Sequence, residues 1–533
     1  MSVGKATLVI AIFSILSKIL GAVRQAVLAH QFGAGAQVDI YVAAFRFPDL
    51  IFNLFILGTL SVAFIPVFVE YLNKDKDEAL KIASSIFNLA LMLMGALSFL
   101  GFIFAKQIVH LIVPGFSPDA MAQTVTLARI LMLSPLLFTL SSVLTSVLQS
   151  YQRFIVPAVV PLMYNLSIIF GIIFLYPRMG LPGLAWGAVI GASLHFVFQL
   201  PSAFRLGFKP FRNFSVSHPG VKKIVKLFLP RIIGLDLGQI SLIVASVIGS
   251  SLGVGSLAVF YYGYDLQTVP LGVFAVSFAI VALPALSEFA SRGDMQGFKN
   301  FFSKNTIQIL FFIVPISVIL ILLRAQIVRL IYGAGHGTAF NFEDTKHVAN
   351  ALGFFAISLF AQSMIPLLAR CFYALQNTVI PVVVGLISAG TNIFCAMLLT
   401  KVWSAGSLPI AFSIASLVNM LLLLAILRNK IGDLNDDELA VGILKIGTAS
   451  MVMGTLVYLT MYTVAPLVNM QTYAGILIQT AVAGAVALVT YLGTGILILL
   501  PEARQVLSVL KSWFSKFTKP VTSALVDLFT DFR

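Results

Sequence analysis

The chain has 533 residues; 59% are hydrophobic, 10% are charged, and the mean hydropathy is +1.00. Soluble domains carry about a quarter charged residues, so this composition excludes a soluble globular enzyme. The net charge of +14, from 34 Lys and Arg against 20 Asp and Glu, fits the basic loops of a membrane protein better than a nucleic-acid footprint.

The apolar runs are continuous rather than alternating, which points to spanning helices and not to a β-barrel. In chain order, spans are predicted near 6–30, 40–71, 80–104, 121–149, 155–176, 182–204 and 227–250. They continue near 256–289, 303–328, 348–375, 379–401, 406–428, 441–465 and 472–499. The first stretch lacks an A-x-A-like end and runs into the second, so it reads as a span and not as a cleavable signal. About fourteen spans put both termini on one side. With the N-terminus cytoplasmic, inner segments carry 23 Lys and Arg, and outer loops carry six: Lys106, Arg178, Arg324, Arg329, Lys346 and Lys401. That asymmetry fixes the orientation by the positive-inside rule. The richest inner loop holds Arg205, Lys209, Arg212, Lys222, Lys223 and Lys226.

After the last span the pattern changes. Residues 502–533 space apolar side chains by three and four, with Lys511, Lys516 and Lys519 between them. This reads as an amphipathic helix on the inner leaflet, broken at Pro520. Cys371 and Cys395 both fall in apolar segments, and His30, His110, His195, His218, His336 and His347 are scattered. No disulfide framework or metal spacing is expected from them.

The chain repeats itself. QIVHLI at 107–112 returns as QIVRLI at 326–331, and Pro66–Glu70 resembles Pro284–Glu288. Leu148-Gln149 before Pro157 resembles Leu375-Gln376 before Pro381. The offsets, 218 to 227 residues, cross six spans, so the copies share an orientation. The expected architecture is all-α and polytopic: two parallel six-helix lobes, 1–222 and 223–438, then two further helices in 439–501 and a cytoplasmic tail from 502. Parallel lobes with a substrate between them are a transporter design.

Charges within spans mark the route, because each costs roughly 2.5–3.5 kcal/mol at the bilayer centre. They include Lys18 and Arg24 in span 1, Arg46 and Asp49 in span 2, Arg129 in span 4, Arg231 and Asp236 in span 7, and Asp265 in span 8. Arg46 and Asp49 are three apart and can pair along the helix. Lys18, Arg24 and Arg46 against Asp39 and Asp49 leave the N-terminal lobe basic, and guanidinium forks match phosphate oxygens. An anionic, phosphate-bearing substrate follows.

Residues 24–70, with FGAG, Asp39, AFR-x-P and S-x-AF-x-P, resemble the MurJ/MviN family of lipid II flippases, within the multidrug/oligosaccharidyl-lipid/polysaccharide exporter superfamily. So do VPGF (113–116), QRFIVPAVVPLMYN (152–165), YGAGHGTAF (332–340) and LARCFYALQNTVIP (368–381). The resemblance covers spans 1 to 12. It implies two six-helix lobes with two extra helices, no enzymatic chemistry, and flipping of lipid II, the undecaprenyl-diphosphate-linked peptidoglycan precursor, across the bacterial cytoplasmic membrane. Lys18, Arg24, Asp39 and Arg46 match its cavity charges. Asp236, Asn377 and Thr391 look like the sodium site of some members. The chain departs from the pattern at Gln25, Phe52, Asn53 and Leu57, and Asp265 stands where a cavity arginine is typical. An Arg24–Asp265 bridge between lobes would close the outer side in the empty carrier. No cofactor is expected beyond sodium or membrane-potential coupling, and the carrier is expected to be monomeric. The alternatives are a flippase for another polyprenyl-diphosphate glycan and a cation-coupled multidrug exporter.

Overall fold

The computed structural model describes residues 3–56, 60–210, 214–232, 237–333, 337–403 and 406–517, and these are helical almost throughout. The first helices are α1 (Val3–Phe32), α2 (Ala36–Ile56), α3 (Leu60–Leu72), α4 (Lys76–Ile103), α5 (Ala105–Ile112), α6 (Pro118–Leu131), α7 (Leu133–Ser150) and α8 (Ile155–Phe170). Next come α9 (Tyr176–Met179), α10 (Leu181–Val197), α11 (Leu200–Arg205), α12 (Pro219–Ile232), α13 (Leu237–Gly249), α14 (Ser256–Pro270), α15 (Ser277–Ser291) and α16 (Met295–Leu322). The chain ends with α17 (Arg324–Ile331), α18 (Phe342–Ile357), α19 (Leu359–Ala374), α20 (Val379–Trp403), α21 (Ser407–Ile431), α22 (Asp436–Val464), α23 (Tyr473–Leu497) and α24 (Pro501–Phe517).

Eleven of the described helical stretches are long and apolar enough to cross a bilayer, and twelve are if α18 and α19, bent by 46°, form one span. The expected spans 40–71 and 227–250 cross residues 57–59 and 233–236, which lie outside the described set. α24 reaches Phe517, with Ala503 buried; Pro520 lies outside the described residues.

The repeat is visible in local structure. α4 has 28 residues, breaks for one residue, and continues as the 8-residue α5. α16 and α17 reproduce those lengths and that break, 219 residues later. Asp75 caps α4 and Asp294 caps α16, each accepting from amides of the first turn. The next element corrects one sequence match. Gln152 and Gln376 both hold positive φ, 57° and 59°. They close equivalent turns, in which Arg153 N donates to Leu148 O and Asn377 N donates to Phe372 O. The true counterpart of Gln376 is therefore Gln152, not Gln149. QRFIVP and QNTVIP run at one offset, 224 residues, and the Leu-Gln match expected from sequence overshoots it by three because both stretches offer a Leu and a Gln.

The chain packs as two compact units interleaved in sequence. One comprises Met1–Leu266, Val328–Phe355 and Thr378–Val418. Its core includes Phe64, Phe68, Phe87, Val143 and Val147, all at most 1% exposed, from α3, α4 and α7. In the same unit, Gly183, Gly187 and Gly191 line one face of α10 at four-residue spacing. A Cβ on Gly187 would lie 2.8 Å from Gly171 Cα, and one on Gly191 would lie 2.8 Å from Tyr164 Cδ2. Small residues at this spacing let membrane helices approach backbone to backbone. The second unit comprises Gln267–Ile327, Ala356–Asn377 and Asn419–Arg533. There α22 and α23 form a hairpin, and Tyr491 donates to Phe311 O on α16 at 2.7 Å.

Candidate functional site

α2 presents Tyr41, Val42, Phe45, Arg46 and Asp49 on one face, because steps of one, three and four keep side chains together on a 3.6-residue helix. Arg24, Gln25 and Leu28 of α1, Tyr164 and Ile168 of α8, and Tyr261 of α14 complete the walls of a cavity of about 150 Å³ in the first unit. Its lining cations are Arg24 and Arg46, and its lining anion is Asp49.

Arg46 is 8% exposed and donates from Nε to Ser246 Oγ at 3.0 Å. Ser246 Oγ donates its own proton to Leu242 O at 3.0 Å, so α13 holds the guanidinium by a chain of two bonds. Asp49 is the charged neighbour of Arg46, one turn along the helix, but not its hydrogen-bonded anchor. Asn53 donates to the backbone oxygen of Asp49, and Asp49 is one of the residues that line the cavity. Arg24 lies within electrostatic reach of Tyr261, Tyr41, Tyr164 and Asp265. Gln25, 2% exposed, donates to Tyr261 Oη at 2.6 Å and also bonds to Asp265, so its amide ties together two residues one turn apart on α14.

Beyond the cavity, the FGAG turn forms a clasp. Asp39, 4% exposed, accepts from Gly255 N at 2.6 Å and from Ala258 N at 2.7 Å. It caps α14 from a different helix, at the end where free amides favour an anion. Ala339 N donates to His30 O at 2.8 Å, Tyr262 Oη to Gly33 O at 3.2 Å, and Ala34 N to Asp344 Oδ2 at 3.3 Å. Gly33 has φ +61°, and a Cβ there would sit 2.7 Å from Ala339 O. Gly255 has φ +86°, and a Cβ there would strike the Ala34 carbonyl oxygen. Both glycines are required by conformation and by contact.

The structure thus brings Arg24 and Arg46 to one cavity, with Asp265 interacting with Arg24. Lys18 and Asp39 are not among the residues that line it. Lys18 is exposed and outside the lining; six residues of helix rotate it about 240° from Arg24. Asp39 gives both oxygens to backbone amides, so its place is structural. Asp236 lies outside the described residues. Asn377 sits in the turn after α19, whereas Thr391 lies three turns into α20 and donates to Ile387 O at 2.9 Å. Among the departures, Phe52 packs edge-on against Phe138, with ring centroids 5.2 Å apart. Leu57 is outside the described residues. Among the described residues, no group of three or more His, Cys, Asp or Glu side chains converges on a metal position.

Sequence reading did not single out Tyr41, Tyr164, Tyr261 or Ser246 for the site. Tyr41 carried a signal, since it shares the face of Arg46 and Asp49. Tyr261 precedes Asp265 by one turn. Ser246 carried none, being one small hydroxyl in an apolar span.

Comparison with known proteins is consistent with this arrangement. A family model described as lipid II flippase MurJ matches residues 28–478. A probable lipid II flippase MurJ from Buchnera aphidicola is 29% identical, over 92% of this chain and 96% of that protein. A solved lipid II flippase MurJ in an inward closed conformation superposes with a TM-score of 0.74 at 27% identity, over 91% of this chain and 98% of that one. An inward-facing multidrug resistance MATE family transporter of the MOP superfamily shares the fold, with a TM-score of 0.66 at 15% identity, over 81% of this chain and 99% of that one. With 451 consecutive residues under one family model and a matching fold, this multi-pass membrane protein belongs to the lipid II flippase MurJ family.

Proposed function

We propose that this protein flips lipid II from the inner to the outer leaflet of the bacterial cytoplasmic membrane by alternating access, as a monomer and without covalent chemistry. The observation that carries the reading is the pair Arg24 and Arg46 in one cavity walled by apolar helices. Burying two guanidiniums in such a setting is costly, and planar donor forks suit the oxygens of a diphosphate. The hydroxyls of Tyr41, Tyr164 and Tyr261 add donors that suit phosphate or sugar. The cavity has a volume of about 150 Å³. A glycan headgroup is far larger, so the walls must part to admit it, which is what alternating access requires.

No nucleotide-binding motif is present in the sequence. The membrane potential is a suitable energy source, because it favours outward movement of an anion by roughly 2.3 kcal/mol per charge per 100 mV. Sodium coupling through Asp236, Asn377 and Thr391 is the other source we propose. Expression of the chain should rescue bacteria depleted of their own lipid II flippase. No rescue at normal protein abundance would refute the substrate. Rescue unaffected by sodium removal and by Asp236→Asn would refute sodium coupling. We propose that both termini are cytoplasmic, so a reporter fused after Gly220 should read as internal and one after Gly335 as external; reversed readings would overturn that orientation.

Asp265 beside Arg24 favours a second reading, a flippase for another polyprenyl-diphosphate glycan, because it reduces the positive charge available to the headgroup. Rescue of a capsule or O-antigen flippase mutant, but not of lipid II depletion, would select it.

A further inference from the structure

We propose that Asp49 is a built-in stand-in for the substrate's anionic group: it balances Arg24 and Arg46 while the cavity is empty and yields them when a diphosphate enters. The inference rests on the proposed function, which makes the arginines phosphate ligands. Asp49 lies one turn from Arg46 on the cavity face of α2, and its charged neighbours are Arg46 and then Arg24. Unlike Asp39, it is not committed to a structural cap: among the described residues, Asn53 bonds to its backbone oxygen and not to its carboxylate. Nor is it needed to aim Arg46, because Ser246 already fixes that guanidinium.

A carboxylate so placed would be a poor choice for tight phosphate binding, since it repels the ligand. It is a good choice for a carrier that must also return empty. Two guanidiniums left facing a closed cavity without an anion repel each other and carry an uncompensated desolvation cost. Asp49 lowers that cost at Arg46 and, together with Asp265, at Arg24. It also weakens the loaded state, which keeps the substrate from becoming trapped: binding that stabilises the ground state alone does not speed a cycle.

The test uses the purified full chain with inorganic pyrophosphate as the probe, reading thermal unfolding and the dissociation constant. Asp49→Asn should melt lower than wild type without pyrophosphate and bind pyrophosphate about tenfold more tightly. The double variant Arg46→Gln with Asp49→Asn restores the cavity charge and should recover the wild-type melting temperature. If Asp49→Asn fails to accumulate while the double variant does accumulate, the counter-charge role is supported; if both fail, it is overturned. Equal pyrophosphate affinity in wild type and Asp49→Asn, no binding to either, or unchanged melting would each overturn it. Failed lipid II rescue by the wild-type chain would instead count against the proposed substrate, with the pyrophosphate comparison still decisive for Asp49.

Discussion

Arg24→Ala should abolish rescue of flippase-depleted cells and also lower the amount of protein in the membrane. The first effect follows from losing one of two cationic ligands in the cavity. The second follows from Asp265, which would lose Arg24 as its charged neighbour. Removing the partner of a fully buried charge costs roughly 3–5 kcal/mol; Asp265 is half-buried and keeps its bond from Gln25, so the cost here is smaller. Asp265→Ala should be milder, because Arg24 keeps its tyrosine neighbours and its access to the cavity. The double variant Arg24→Ala with Asp265→Ala should regain abundance but not transport. Rescue measured beside quantified membrane protein separates the two effects. Normal rescue by Arg24→Ala at normal abundance would remove Arg24 from the binding site.

Asp39→Ala should loosen the clasp between the FGAG turn and the start of α14. Two buried amides, Gly255 N and Ala258 N, would lose their acceptor, at about 1–3 kcal/mol each. The anion at the helix N-terminus would be lost with them. Gly255→Ala should act in the same direction by a different route, since its Cβ collides with the Ala34 carbonyl. Ala34 is 7% exposed, so a cysteine at that position is shielded while the clasp holds. In a background with Cys371 and Cys395 replaced by serine, Ala34→Cys should react with a polar thiol reagent faster once Asp39→Ala is added. An unchanged labelling rate would show that the clasp does not depend on Asp39.

The sequence disclosed the membrane class, most span positions and the repeat, because each is written in many residues at once. A run of twenty apolar side chains is hard to misplace, whereas a register resting on one Leu-Gln pair slipped by three residues. At the site, Arg24 and Arg46 were legible because a charge in an apolar span is rare and expensive. Their partners were not. Ser246 is 200 residues from Arg46 in the chain, and its hydroxyl resembles any other serine that bonds back to its own helix. Asp39 looked like a ligand for the reason Arg24 did, being a charge beside a basic cavity. Only the fold shows that its oxygens are taken by amides 216 and 219 residues away. Lys18 sits on a different side of α1 from Arg24, and composition counts charges without recording which way a helix turns them.

The glycine face of α10 has a bearing on how this chain can diverge over time. Gly187 meets Gly171 just after α8, and Gly191 meets Tyr164, a residue of the cavity wall. The spacing of those helices is thus set at points that carry no charge and do not line the cavity. A lineage that exchanged one of these glycines for alanine or serine would shift the α8 wall by a fraction of an ångström and leave Arg24, Arg46 and Asp49 unchanged. On the proposed function, the room for a headgroup and the charges that face its phosphates are set by different residues. Selection could then refit the carrier to a bulkier or slimmer glycan while its charges stay as they are.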